Sequence, residues 1–204
     1  MKFTNRKKRR CKMDISSLFE MLMNKEALEN LGGSVGANKD QVQKLINFGM
    51  PTIMKAMDRN AKTESGAESL YKALQQHQDD DVEEMAANIK KVDTADGSKI
   101  LDHVFQDKQE RIQMNLAKQT NMQQSQVSTI LSQLAPLVLG ALGQQQKQQD
   151  VNVSNLSGFL EGVTQQTGDS GMMKIVEQLL DRDKDGSVLD DVGRMFGNLF
   201  KRKK

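Results

Sequence analysis

Cysteine, proline and aromatic side chains are scarce in this chain. The single cysteine, Cys11, excludes a disulfide framework and any multi-cysteine zinc site. Two histidines, His77 and His103, exclude a histidine-rich metal centre. There is no tryptophan and one tyrosine, and aromatics make up 4% of residues. With few valines and isoleucines, that argues against a β-sandwich, which needs many strand formers. The most apolar run, Leu134 to Gly143, is far shorter than the roughly 18 apolar residues that read as a membrane span, so no transmembrane segment is predicted. What is abundant favours helix: the 204 residues include 13 methionines and 21 glutamines. The length suffices for one large domain or two small ones with a real core.

The net charge of +2 hides an uneven layout. Residues 1–12 carry seven basic side chains and no acid, and residues 201–204 add four more. The body, Met13 to Phe200, keeps 18 basic against 27 acidic residues, about −9 by formal count. Such a body repels phosphates, so nucleic acid is not an expected partner for it. The basic ends read most simply as solvated, disordered tails; contact with nucleic acid, anionic lipid or the acidic body of another copy is the alternative. Residues 1–12 lack the apolar stretch of a secretory signal. Cytoplasmic placement is therefore expected, with Met13 an alternative start of translation.

The strongest signal is internal similarity. Residues 41–57, QVQKLINFGMPTIMKAM, match residues 126–142, QVSTILSQLAPLVLGAL, at an offset of 85. The two prolines, Pro51 and Pro136, fall on each other, as do Leu45 with Ile130, Ile53 with Val138 and Ala56 with Ala141. Each unit closes on the same tripeptide, Asp96-Gly97-Ser98 and Asp185-Gly186-Ser187. Two pseudo-equivalent halves sharing a core are expected.

Within each half the period is helical. Ile15, Leu18, Phe19 and Leu22 make one stripe. Asn38 is a plausible N-cap before Val42, Leu45 and Ile46, and Pro51 suits the first turn of a new helix or a kink. Leu70, Tyr71 and Leu74 mark another helix, and Val82 to Ile89 a fifth. Ser98 can cap a helix running through Phe105 and on to Leu116. In the second half, helices are expected near 126–134, 136–147, 155–166 and 171–181, with a last one at 188–200. Residues 32–38, 60–66 and 144–155 read as linkers, and the glutamine-rich stretch 144–149 as an exposed helix end or a disordered patch.

The segments QVSTILSQLAPLVLGALG, DGSKILDHVF and LLDRDKDGSVLDDV resemble the bacterial DUF937 family, which includes the YidB proteins. The resemblance covers most of Met13 to Phe200. It implies an all-helical multi-helix array and no established enzymatic activity. Members of that family often carry glycines where this chain has Asp102 and Gln106.

One motif could carry chemistry. Residues 181–191, DRDKDGSVLDD, begin like the D-x-D-x-D-G Ca²⁺ loop. Asp181, Asp183 and Asp185 would point at one hard cation, Gly186 permits the sharp turn, and Ser187 would offer its carbonyl. Position 12 is Val192 rather than glutamate, so Asp190 or Asp191 would have to complete a weak site, with a Kd on the order of 10⁻⁴ M or poorer. The plainer reading is a solvated acidic turn in which Asp185 or Ser187 caps the next helix. The equivalent segment 93–98 keeps one of the three aspartates, Asp96, and is not expected to bind metal. His103 beside Asp102, and His77 between glutamines, read as solvated surface residues. Met50, Met54 and Met57 read as core filler, and the other methionines leave an adaptable binding surface open.

These readings converge on an all-α array of about ten helices in one domain, residues 13–200. Repeat one covers about 13–98, repeat two about 99–187, and a terminal helix about 188–200, flanked by basic tails at 1–12 and 201–204. No nucleophile, carboxylate pair or cofactor fingerprint is present. The expected function is a non-enzymatic scaffold or protein-interaction module, with an unknown protein partner or self-association and weak trimming by Ca²⁺. The alternatives are a small-ligand binder or enzyme with a pocket between the repeats, and tethering through the tails.

Overall fold

The apolar spacing resolves into helices, most of which begin where a polar side chain takes up free N–H groups. In the computed structural model, which describes residues 13–167 and 170–181, the described residues form ten α-helices and no strand. The helices are α1 (Ile15–Leu22), α2 (Lys25–Val35), α3 (Lys39–Asn60), α4 (Glu64–His77), α5 (Val82–Ala87), α6 (Thr94–Phe105), α7 (Gln109–Thr120), α8 (Gln124–Gln148), α9 (Leu156–Thr167) and α10 (Ser170–Asp181). Short 3-10 turns lie at Ile89–Lys91, Gln106–Lys108 and Val153–Asn155. The expected all-α multi-helix architecture is the one found. Asp14, Asn24 and Asn38 each accept a hydrogen bond from a backbone N–H three residues on, at 2.8 to 3.0 Å. Asn38 acts as the sequence suggested, and Gln41 completes its capping box by accepting from the Asn38 N–H at 3.0 Å.

Two long helices form the axis of the molecule. Every residue of α8 from Ile130 to Gly143 is buried. Helices α4, α5, α6 and α7 pack on it, while α2, α7, α9 and α10 pack on α3. Helices α3 and α8 also touch each other: a Cβ on Gly49 would lie 2.9 Å from Leu131 Cδ2. One apolar cluster runs from Met13 to Leu180 and includes Met50, Met54 and Met57, each at most 1% exposed. Helix α8 is long and apolar enough to cross a membrane, but 83% of its most apolar window is buried inside the protein. Its apolarity is that of a core helix.

Neither proline starts a helix. Pro51 lies inside α3 and Pro136 inside α8, so the expected separate helices at 126–134 and 136–147 are one. A proline in a helix interior removes one N–H and costs roughly 3 kcal/mol. Here burial on all sides offsets that cost. Pro136 cannot donate to the carbonyl of Ser132, and that carbonyl is where α6 presses closest. A Cβ on Gly97 would lie 1.8 Å from Ser132 O, which puts the Gly97 Cα in Cα–H···O range. Beside it, Ser98 Oγ and Ser132 Oγ share a hydrogen bond at 3.1 Å.

That contact also corrects the reading of Ser98. Asp93 is the N-cap of α6, accepting from Ala95 N and Asp96 N at 2.9 and 3.1 Å. Ser98 sits one turn inside, donating to Thr94 O at 2.9 Å. Nor does the helix run on to Leu116: it stops at Gln106, whose φ of 52° breaks the ladder before α7 begins. Residues 32–38 are mostly helix, because Gly32 and Gly33 belong to α2 and the left-handed residue that ends it is Gly36, φ 71°. The glutamine-rich stretch continues α8 to Gln148. Its side chains are used: Gln144 accepts from Met13 N at 2.9 Å and donates to Asp80 O at 2.8 Å, and Gln146 is buried and donates to Val151 O.

Local geometry recurs across the 85-residue offset. Helix α2 ends on Gly36 and α7 on Asn121, both left-handed, with φ of 71° and 53°. Gln126 accepts from Gln123 N at 2.9 Å, as Gln41 does from Asn38. The two glutamines then cross over. Gln41 Nε2 donates to Asn121 O, and Gln126 Nε2 donates to Val35 O at 2.8 Å.

Candidate functional site

Helix α8 has glycines at 140 and 143, and α4 lies so close that a Cβ on Gly143 would meet Leu74 O at 2.5 Å. Gly97 draws α6 onto the same helix at Ser132. Both neighbours are thus held tightly to α8. Between them a cleft of about 610 Å³ opens, with Leu139 of α8 at its floor. Leu70 and Ala73 of α4 and Ile100 and Val104 of α6 extend the apolar floor. The rim is polar, with Ser69, Lys72 and Gln76 on one wall and Asp96, Lys99 and His103 on the other.

Both histidines of the chain line this cleft, although they are 26 residues apart in sequence. His77 is held by carboxylates on two sides: Asp80 Oδ2 is 2.8 Å from Nδ1, and Asp96 Oδ2 is 3.9 Å from Nε2. Its side chain is 18% exposed. His103 Nδ1 donates to Lys99 O at 2.8 Å, one turn back along α6. The two rings are therefore fixed by different means, one by acids and one by its own helix. Among the described residues, the contact given for the His103 ring is with Lys99 O and not with the Asp102 or Asp107 carboxylate, which acid–base chemistry would need. Among the described residues, no group of three or more His, Cys, Asp or Glu is arranged to hold a metal ion.

The far end of the cleft is strained. Gln106 takes φ 52° and ψ −135°, a region that side chains other than glycine's rarely occupy. A glutamine thus fills a position whose backbone favours glycine, and it must be held in place. Asn60, ending α3, does the holding: its Nδ2 donates to Val104 O at 3.1 Å and His103 O at 3.3 Å, and its Oδ1 accepts from Gln106 Nε2 at 3.4 Å. This one asparagine therefore satisfies the last carbonyls of α6 where the chain turns away.

The structure does not test the residues the sequence proposed for Ca²⁺. Asp183, Asp185, Ser187, Asp190 and Asp191 lie outside the described residues, and Asp181 is described only as the end of α10. The cleft itself was missed in the sequence. Its histidines looked solvated because only the packing of α4 and α6 on α8 brings them to one rim.

Fold and cleft together define an all-helical protein with an apolar-floored surface groove. The chain belongs to the family described as bacterial protein of unknown function, DUF937, whose model matches residues 17–146 and 144–204. No curated protein and no solved structure matched the chain.

Proposed function

We propose that this protein is a non-enzymatic interaction module and that the α4–α6 cleft receives an amphipathic helix carrying acidic residues. The observation that supports this is the cleft's construction: an apolar floor of Leu70, Ala73, Ile100, Val104 and Leu139, with Lys72 and Lys99 on opposite walls. Such a groove matches the helix-in-groove mode of recognition, in which spaced apolar anchors fill the floor and charges set the register. The lysines are locally basic in a body whose formal charge is about −9. The same reading holds that the two halves are copies of one module and that the partner is met in the cytoplasm.

A second reading, a small anionic ligand held by Lys72, Lys99 and the histidines, draws on the same rim. Site-specific photo-crosslinking separates them. A photoreactive residue replacing Ser69 is expected to capture a polypeptide in cells, at an acidic amphipathic segment found by mass spectrometry. Lys72→Glu with Lys99→Glu should abolish that adduct without changing the far-UV circular dichroism. No adduct at position 69, or one indifferent to both charge reversals, would refute the helix-docking reading.

A further inference from the structure

The groove between α4 and α6 has two unlike ends. Its walls run antiparallel. At one end Asn60, just before α4, holds the last carbonyls of α6. At the other, His77 closes α4 and faces Asp96 in the first turn of α6.

The His77 end is acidic. Residues 79–96, from just past α4 into the first turn of α6, carry seven acids against two lysines. Asp81 and Asp93 cap α5 and α6, and Asp79 meets Lys147 at 2.8 Å. Asp80 and Asp96 are left beside the groove, with the His77 ring between them. The opposite end is lined by Asn60, Thr63, Ser65, Gly66 and Gln106, which offer amides, hydroxyls and backbone. Lys72 and Lys99 lie between the two ends.

An entering helix is itself polar. Its first turn has free N–H groups and a partial positive charge, and its last turn has free carbonyls and a partial negative charge. The dipoles of α4 and α6 oppose each other, so the side chains at the two ends decide which way it lies. We propose that the docked helix runs parallel to α6. Its N-terminus sits at Asp80 and Asp96 with a basic residue in its first turn, and its acidic residues follow over Lys72 and Lys99. Ser65 and Gln76 are eleven residues apart on α4, so the groove gives it about 16 Å, or three turns. The inference rests on the helix-docking reading of this cleft and adds the direction and charge order of the partner.

Two synthetic peptides, tested against the purified full chain, decide it. Each has about 16 residues, blocked ends, the same hydrocarbon staple, leucines at helical spacing and central glutamates. One carries paired lysines in its first turn, the other in its last. By fluorescence anisotropy the first is expected to bind tighter by about threefold or more. Asp80→Asn with Asp96→Asn should erase that difference. Equal affinities, the reverse order, or a preference that survives both asparagines overturns the proposal. The docking reading then still stands if Lys72→Glu with Lys99→Glu abolishes the binding of both peptides. If neither peptide binds, or if both ignore the charge reversals, the docking reading falls and the direction falls with it.

Discussion

Adding one methyl group at Gly97 should do more damage than its size suggests. In a helix interior, glycine to alanine normally stabilises by about 1 kcal/mol, because alanine loses less backbone entropy. Gly97 is in the first half of α6, so propensity alone predicts a gain. The structure predicts the opposite. The new Cβ would lie 1.8 Å from Ser132 O, 2.7 Å from its carbonyl carbon and 3.0 Å from its Cα. Ordinary contact begins at 3.4 Å. All three atoms are backbone of the buried stretch of α8, so no side chain can rotate away. Helix α6 must lift from α8, straining the Ser98–Ser132 hydrogen bond and loosening Leu101, which is fully buried.

Overpacking typically costs about 1–3 kcal/mol, and rigid surroundings on both sides place this case near 3. After the propensity gain, about 2 kcal/mol of net destabilisation remains. That corresponds to a Tm lower by about 4–8 °C for a chain of this size, or a urea midpoint lower by roughly 0.8 M. Urea titration followed by circular dichroism reads it directly. Gly158→Ala is the control: Gly158 is exposed in α9 with nothing within 4 Å of its added Cβ. It should gain about 0.5–1 kcal/mol. If Gly97→Ala is as stable as the parent, or more so, the close approach of α6 to the proline notch is refuted.

Four further variants test other contacts of the structure. Gln106→Gly should stabilise by about 1 kcal/mol in the same titration, since glycine relieves a φ of 52° and the 3.4 Å bond to Asn60 it gives up is weak. Asp58 is fully buried, with Lys55 and Lys62 nitrogens at 3.3 and 3.5 Å and no hydrogen bond to either oxygen. Asp58→Leu should therefore be neutral or stabilising, because both lysines can reach water, whereas Lys55→Met should cost about 2 kcal/mol by leaving the carboxylate with one partner. Glu29 is held below its ordinary value of 4.5, first by its hydrogen bond with Lys39 and then by the charges of Lys39 and Lys25. A lowered carboxylate contributes stability above its unfolded pKa and loses it as pH falls through the folded one. The difference between the parent and Glu29→Gln should thus be constant near pH 7 and shrink as pH falls below 4.5 and through the lowered folded value; a difference that does not shrink on acidification would refute the pairing.

Fold class was readable because helix period is a local property. Asn38, the Leu70–Leu74 stripe and the helices at 155–166 and 171–181 all lie within a residue or two of their expected places. What failed were boundaries decided by tertiary contact. Residues 25–35 hold two glycines and a weak apolar stripe, so α2 was not expected; its hold comes from Leu28 and Leu31 packed into the core. The end of α6 was illegible because a glutamine sits where backbone geometry asks for glycine, and Asn60, 46 residues away in sequence, supports it. The cleft was illegible for the same reason. Its floor comes from α8 and its walls from α4 and α6, and no window of sequence contains all three.

The prolines show why local rules fail here in a patterned way. Read alone, Pro136 divides an apolar run into two short helices, and the cost of keeping them joined is about 3 kcal/mol. Read in the structure, the hydrogen bond it removes exposes a carbonyl at the centre of the core, and Gly97 closes over it. A glycine there would otherwise weaken α6 by about 1 kcal/mol. Two residues that each disfavour their own helix therefore fit each other across the interface, 39 residues apart. Neither is explained by its neighbours in the chain. Both are explained by helices that meet backbone to backbone, α6 at Ser132 and α4 at Gly143, on the helix that supplies Leu139 to the groove between them.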